Sequence, residues 1–300
     1  MPMTIAAQTP LRDFTVGFAR DRIAMAALVV LALILFVALF APVISPQNPY
    51  SLAQLDILDS KLEPGAKSAS GMTFWLGTDD QGRDMLSAIF YGLRISLGVG
   101  VMSTFVALTI GMAVGLIAAY AGGWVDGAIM RLVDLQLSFP SILIALVLLA
   151  VLGQGVDKIV IALIAVQWAY YARTVRGSAL AEKRKEYVDA ARCMAFGQAR
   201  IVFRHILPNV LPPLIVVATV QVAHAIALEA TLSFLGLGVP ITSPSLGLLI
   251  ANGFAHLLSG KYWISFFPGL ALLMTIVAIN LVGDQLRDVL NPRLQSHYGL

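Results

Sequence analysis

The chain is poor in the residues that most soluble, catalytic or disulfide-stapled proteins rely on. It holds one cysteine, Cys193, so no intrachain disulfide can form, and a lone thiol reads as a small apolar residue. Only 12% of its residues are charged, against about 25% in a typical soluble domain. No Gly-x4-Gly-Lys-Ser/Thr stretch is present to cradle nucleotide phosphates. The four histidines, His205, His224, His256 and His297, are too scattered for a local metal motif. The acidic run Asp79, Asp80 and Asp84 lacks the spacing of a calcium loop and reads as a helix cap, with Thr78 or Asp79 starting a helix through 85–91. With these absences the expectation is no catalytic residue, no resident metal and no cofactor in this chain. A net charge of +3 and a pI near 9.1 would fit nucleic acid only if a basic soluble domain existed, and none does.

What is present is apolar: 58% of residues are hydrophobic and the mean hydropathy is +0.83. Crossing a bilayer takes about 20 apolar residues in helix. Six runs qualify: 23–44, 95–120, 130–152, 159–172, 210–235 and 262–283. The first is too long for the apolar core of a cleaved leader, about 7–15 residues, and no small-x-small site follows it. The second is rich in Gly, Ala and Ser, which lets helices approach closely in lipid. The third contains Pro140, which neighbouring helices can accommodate. The fourth is short and extended by interfacial Trp168, Tyr170 and Tyr171. Residues 236–261 hold Gly, Pro and a half-helix. An even number of crossings puts both termini on one side. Fourteen of the 20 Lys and Arg residues fall on that side, Arg12, Arg131 and Arg293 among them, so the positive-inside rule makes it cytoplasmic. The expected organisation is a cytoplasmic tail 1–22, a first span 23–44, an outer segment 45–92, a core 93–283 and a cytoplasmic tail 284–300.

The core is interrupted by a charged stretch, 173–209. Residues 178–196 read as a helix from their alanines, with Tyr187, Ala190, Ala191 and Met194 on an apolar face. Phe196–Gly197 ends it, and a second helix, 198–207, stops before Pro208. A solvated connection would give Ala190 and Ala191 no task. A small, apolar face edged by charge suits docking in another protein's groove.

That stretch resembles the Glu-Ala-Ala loop of the inner-membrane subunits of bacterial ABC importers. Asp189-Ala190-Ala191 takes the acid-Ala-Ala position and Leu207-Pro208 falls at the family's distance. Ala195 stands where that family has glycine, and His205 where it has isoleucine; Gly197 is then the expected turn glycine. "WLGTDDQGRDMLSAIFYGLRISL" (75–97), "MRLVDLQLSFPSILIALVL" (130–148), "LSFLGLG" (232–238) and "FPGLALLMTIVAINLVGDQLRDVLNPRL" (267–294) resemble the shorter permease subunit of dipeptide/oligopeptide importers. One departure is Leu246, in an outer loop, where a Trp is expected before Gly247. The resemblance implies an all-α integral membrane protein of the type I ABC importer permease kind, six helices and a cytoplasmic coupling helix. It implies ATPase coupling through Glu186, Tyr187, Asp189, Ala190, Ala191, Ala195, Gly197, Leu207 and Pro208. The implied partners are a homologous second permease subunit, two ATPase subunits or domains carrying ATP and Mg, and a solute-binding protein outside. Membrane lipid surrounds the chain, and nucleic acid is not a partner.

Polar groups inside a membrane are costly and tend to face the bundle interior. Gln167, Gln221, His224 and Glu229 are the pathway candidates, as donors and acceptors for a passing peptide. Helix–helix hydrogen bonding is the plainer reading of such groups, and it is preferred for Asp134. Two alternatives stand beside a peptide importer. One is the same architecture carrying nickel, an opine or another small solute. The other is a proton-coupled transporter using Glu229 and His224. An integral-membrane enzyme would need His and carboxylates clustered at one depth, which the sequence lacks.

Overall fold

The computed structural model describes residues 10–51, 55–68 and 71–290, and it is built from helices. They are α1 Pro10–Ala19, α2 Arg22–Ile44, α3 Met85–Ala121, α4 Gly123–Leu137, α5 Ser141–Leu152, α6 Val156–Glu182, α7 Glu186–Cys193, α8 Gln198–Ile201, α9 Leu207–Phe234, α10 Leu246–Phe254 and α11 Trp263–Leu290. The sequence-stretch ends 1–9 and 291–300, with Arg293 and His297, lie outside the described residues.

Four helices are long and apolar enough to cross a membrane: α2, α3, the continuous Gln198–Phe234 rod and α11. The bent pair α4–α5 makes a fifth if it counts as one span. α6, at 27 residues, carries Asp157 and Lys158 at one end and Arg173, Arg176 and Glu182 at the other.

Asp21 caps α2, its carboxylate accepting from the Ile23 and Ala24 amides at 2.7 and 3.1 Å. The helix is apolar all round, so hydrophobicity does not choose its inner face. Small residues do: Ala24, Ala27, Ala38 and Ala41, with Ile34, are buried while Leu33, Leu39 and Val43 are exposed. α1 was expected to be tail; it is a helix against α11, where Gln285 donates to the Gly17 carbonyl at 3.2 Å.

α3 and α6 pack closest. A Cβ on Gly111 would sit 2.5 Å from the Trp168 carbonyl oxygen, and one on Gly115 2.5 Å from that of Ala172. Only glycine permits this approach, which brings the two backbones together.

Three expected elements differ. Residues 130–152 are not one helix: α4 and α5 meet at 87° across Ser138–Pro140. Pro140 has no N–H to donate and pushes the residue before it out of helical geometry, so the chain breaks rather than kinks. The loop helix is also divided. Residues 178–182 finish α6, and a turn at 183–185 separates them from α7. Finally, the second loop helix does not stop before Pro208. α8 passes through a π-helical turn, Val202–Ile206, into α9, with Pro208 in the first turn after it.

The described residues of 45–84 fold over one end of the bundle. Thr78 and Asp79 do not cap α3; Asp84 does, accepting from the Ser87 amide and hydroxyl at 2.9 and 2.6 Å. Gln47 closes the joint, taking the Asp84 amide at 2.7 Å and giving its own amide to the Ser87 hydroxyl at 3.1 Å. Asp79 pairs with Arg83 at 2.5 Å, both buried, and Arg83 also donates to the Ile241 carbonyl at 3.3 Å. Burial pushes the Asp79 carboxyl above its ordinary range, against the pull of Arg83. Trp263 of α11 donates to the Thr78 carbonyl at 3.1 Å.

Candidate coupling surface and translocation pathway

α7 lies at the opposite end of the bundle from segment 45–84. Its short length leaves little intrinsic stability, so packing must hold it. Val188 and Ala191 are buried in one apolar cluster with Val175 and Ala179 of α6, Ile201, Ile206, and Val210 of α9. Spacing of three residues puts those two on the inner face. The outer face is exposed: Glu186, Asp189, Ala190, Cys193 and Met194, with Ala195 and Gly197 beyond. Arg192 pairs with Asp189 at 2.8 Å. Ala191 and Tyr187 thus divide differently from the expected apolar face: Ala191 points in, Tyr187 out.

The turn after α7 falls on Ala195, not Gly197. Ala195 takes the left-handed conformation, φ 57°, whereas Gly197 is extended at φ −61°. The left-handed position is therefore the one where the resembled family carries glycine. Phe196 stacks on His205, centroids 6.0 Å apart, and Arg200 lies 5.1 Å over the Phe196 ring. Leu207 is half-buried and Pro208 exposed at the start of α9.

Tyr187, from the expected set, and Glu182, Asn209, Lys183, Arg173 and Arg176, outside it, hold this surface. Tyr187 donates its hydroxyl proton to Glu182 at 2.6 Å. Asn209 of α9 donates to the Tyr187 oxygen at 3.2 Å and to the His205 carbonyl at 2.7 Å. Burial and the neighbouring Glu182 carboxylate push the Tyr187 phenol up to about 12, so it stays protonated at neutral pH. Lys183 donates to the Ala119 and Tyr120 carbonyls at 3.1 and 3.3 Å, neutralising the C-terminal turn of α3, and lies 5.1 Å over the Tyr120 ring. Arg176 grips Asp126 with two hydrogen bonds, 3.0 and 2.5 Å, and Arg173 pairs with Asp134, so α6 and α4 are bridged twice. Asp134 is thereby a structural partner, as expected.

The four pathway candidates do not converge. Gln167 is fully buried and accepts from Thr104 of α3 at 3.2 Å. Glu229 is also fully buried: Ser96 of α3 and Ser233 of α9 donate to its two oxygens at 2.8 and 2.7 Å. Ser245 caps α10 through the Leu248 amide at 3.3 Å. Glu229 therefore ties α3 to α9 and faces no open path in this conformation. Gln221 is buried, and its amide nitrogen has no partner. His224 alone is exposed, on a stripe of α9 with Val220 and Thr231. Leu246 is no loop residue but the fully buried first residue of α10, packed against Gly92 of α3. Among the described residues, no group of three or more His, Cys, Asp or Glu side chains could hold a metal.

The chain is similar to known proteins. Residues 111–296 match the family model described as "binding-protein-dependent transport system inner membrane component", and residues 9–64 the "N-terminal TM domain of oligopeptide transport permease C". The dipeptide transport system permease protein of Escherichia coli is 42% identical over 289 residues, covering 96% of this chain and 95% of its own length. The di/tripeptide transport system permease of Pseudomonas aeruginosa is 38% identical, covering 96% and 94%. The glutathione transport system permease of Pectobacterium atrosepticum is 36% identical, covering 96% and 93%. Among solved structures, the inward-facing MetNI methionine ABC transporter superposes with a TM-score of 0.57 at 19% identity, covering 69% of this chain and 98% of that one, which is a likeness of fold. The chain belongs to the inner-membrane components of binding-protein-dependent transport systems: a multi-pass, non-catalytic permease subunit with the N-terminal span of the oligopeptide permease C type.

Proposed function

We propose that this chain forms half of the translocation pathway of an ATP-driven importer of di- and oligopeptides. The substrate class rests on its relatives, whose names specify dipeptides, di/tripeptides and glutathione, all short peptides. In this reading α2, α3, the bent α4–α5 pair, α6, the α8–α9 rod and α11 make six crossings. Both termini and 173–209 are cytoplasmic, and 45–84 faces outward to a solute-binding protein. A homologous permease subunit supplies the other half of the pathway, and two ATPase subunits dock beneath. The observation that carries coupling is the exposed outer face of α7, Glu186, Asp189, Ala190 and Met194, mounted on a fully buried inner one. ATPase closure pushes α7, and the rods α6 and α9 carry the shift to the pathway. His224 is the candidate best placed to meet a peptide, because Gln221 and Glu229 of α9 and Gln167 of α6 are buried.

The test is purification of the complete transporter from native membranes and its reconstitution with the solute-binding protein. Short peptides should stimulate ATP hydrolysis and enter the vesicles. Stimulation by nickel or an opine but not by peptides would replace the substrate class and keep the architecture. Uptake driven by a proton gradient without ATP would overturn the importer reading.

A further inference from the structure

Pro208, Pro212 and Pro213 cluster at the start of α9, immediately after a π-helical turn. Each proline lacks an N–H, so the carbonyls of Arg204, Pro208 and Asn209 lose their helical donors. The π turn widens the ladder further; the Leu207 amide reaches back to the Val202 carbonyl, five residues away. A rod meant to transmit movement from α7 thus begins at its weakest place. A push on α7 would be absorbed there unless something bridged it.

The bridge is a directional hydrogen-bond chain. The phenol has one proton and two acceptors in reach, Glu182 at 2.6 Å and the His205 carbonyl at 3.3 Å, and the much shorter contact assigns it to Glu182. Its oxygen then accepts from Asn209, whose second amide proton holds the His205 carbonyl inside the π turn. Every donor and acceptor in the chain Asn209, Tyr187, Glu182 has one consistent direction, which strengthens each link. It joins the end of α6, the first turn of α7 and the first turn of α9.

Resting on the importer reading above, we infer that Tyr187 is a positioning residue whose hydroxyl, through Glu182 and Asn209, locks α7 to both membrane rods, so that movement of α7 reaches α9 instead of being lost in the π turn. Tyr187 acts inside the chain rather than on the ATPase surface, which Glu186, Asp189 and Ala190 provide.

The experiment compares ATP hydrolysed per peptide imported by the reconstituted complete transporter. Tyr187→Phe removes only the hydroxyl and should raise that ratio about fivefold, the population shift that one lost hydrogen bond produces. Glu182→Ala should do the same, and Glu182→Gln, which keeps an acceptor for the phenol, should recover most of the coupling. Ile34→Ala loosens the packing of α2 in a separate core cluster, away from α7 and the chain; it should lower the yield of assembled transporter and leave the ratio native. A native ratio in Tyr187→Phe, or an equal rise in Ile34→Ala, overturns the inference while peptide-coupled transport by the unaltered protein keeps the importer reading. If Tyr187→Phe does not assemble, Asn209→Ala opens the same chain at its other end. Failure of both to assemble assigns the chain to folding and overturns the inference. An unaltered complex that couples no ATP to peptide overturns both.

Discussion

Ala195 occupies a backbone position that suits glycine. The left-handed conformation costs an L-residue about 1–2 kcal/mol, and the extra freedom of an unfolded glycine returns part of any relief. Ala195→Gly should therefore stabilise the protein by roughly 0.5–1 kcal/mol net, read as a raised thermal unfolding midpoint in detergent; an unchanged or lower midpoint would refute it. Arg83 works in the opposite sense. Removing its guanidinium leaves Asp79 buried without its partner, a loss of about 3–5 kcal/mol for a broken buried pair. Arg83→Met should be severely destabilised, and adding Asp79→Asn should recover much of it, because asparagine keeps the acceptor that serves the Gln81 and Arg83 amides at 2.9 Å. Equal damage in the double variant would show that the salt bridge is not what matters. The sequence made Ala195 visible as a departure from a family pattern. It did not reveal that the backbone keeps its left-handed turn there regardless, because the φ of one residue follows from how α7 is packed.

Helices were the readable part of this protein wherever apolar runs exceeded a bilayer's thickness, as in α2, α9 and α11. The half-helix α10 was legible only as a half-helix within 236–261; its first residue, Leu246, read as loop. Breaks were less so. Pro140 is tolerated inside some membrane helices and severs this one, and hydropathy averages over both outcomes. The clamp at α7 escaped notice because Tyr187 and Asn209 lie 22 residues apart and meet only when both helices are packed. Close approach of α3 and α6 was hinted at by small residues, and it makes a sharp distinction between two glycines of one helix. Gly111→Leu must push against the Trp168 carbonyl and the Tyr171 Cβ, neither of which can swing aside, and should part the helices at a cost of about 1–3 kcal/mol or more. Gly98 meets nothing within 4 Å, so Gly98→Ala should be tolerated and gain about 0.5–1 kcal/mol of helix propensity. Thermal midpoints of the two purified variants check the pair; similar values would mean that α3 and α6 do not pack this tightly.

At the scale of the whole molecule the two ends of the bundle are built for opposite tasks. The described residues of 45–84 cover one end and are tied to α3 and α11 through Gln47, Thr78, Asp84 and Trp263. The other end presents α7 on a packed base with an exposed outer face. Cys193, the chain's one cysteine, sits on that helix with its thiol free and exposed, so it reports which side of the membrane the end occupies. A membrane-impermeant maleimide should label the chain in inside-out vesicles and leave it unlabelled in intact spheroplasts. Adding the ATPase subunits should then slow labelling in the inside-out vesicles, since docking on α7 covers the thiol. Labelling from the outside would invert the topology and remove the surface on which coupling depends. Labelling from the inside that the ATPase subunits do not slow would keep the topology and move their docking site off the Cys193 edge of α7.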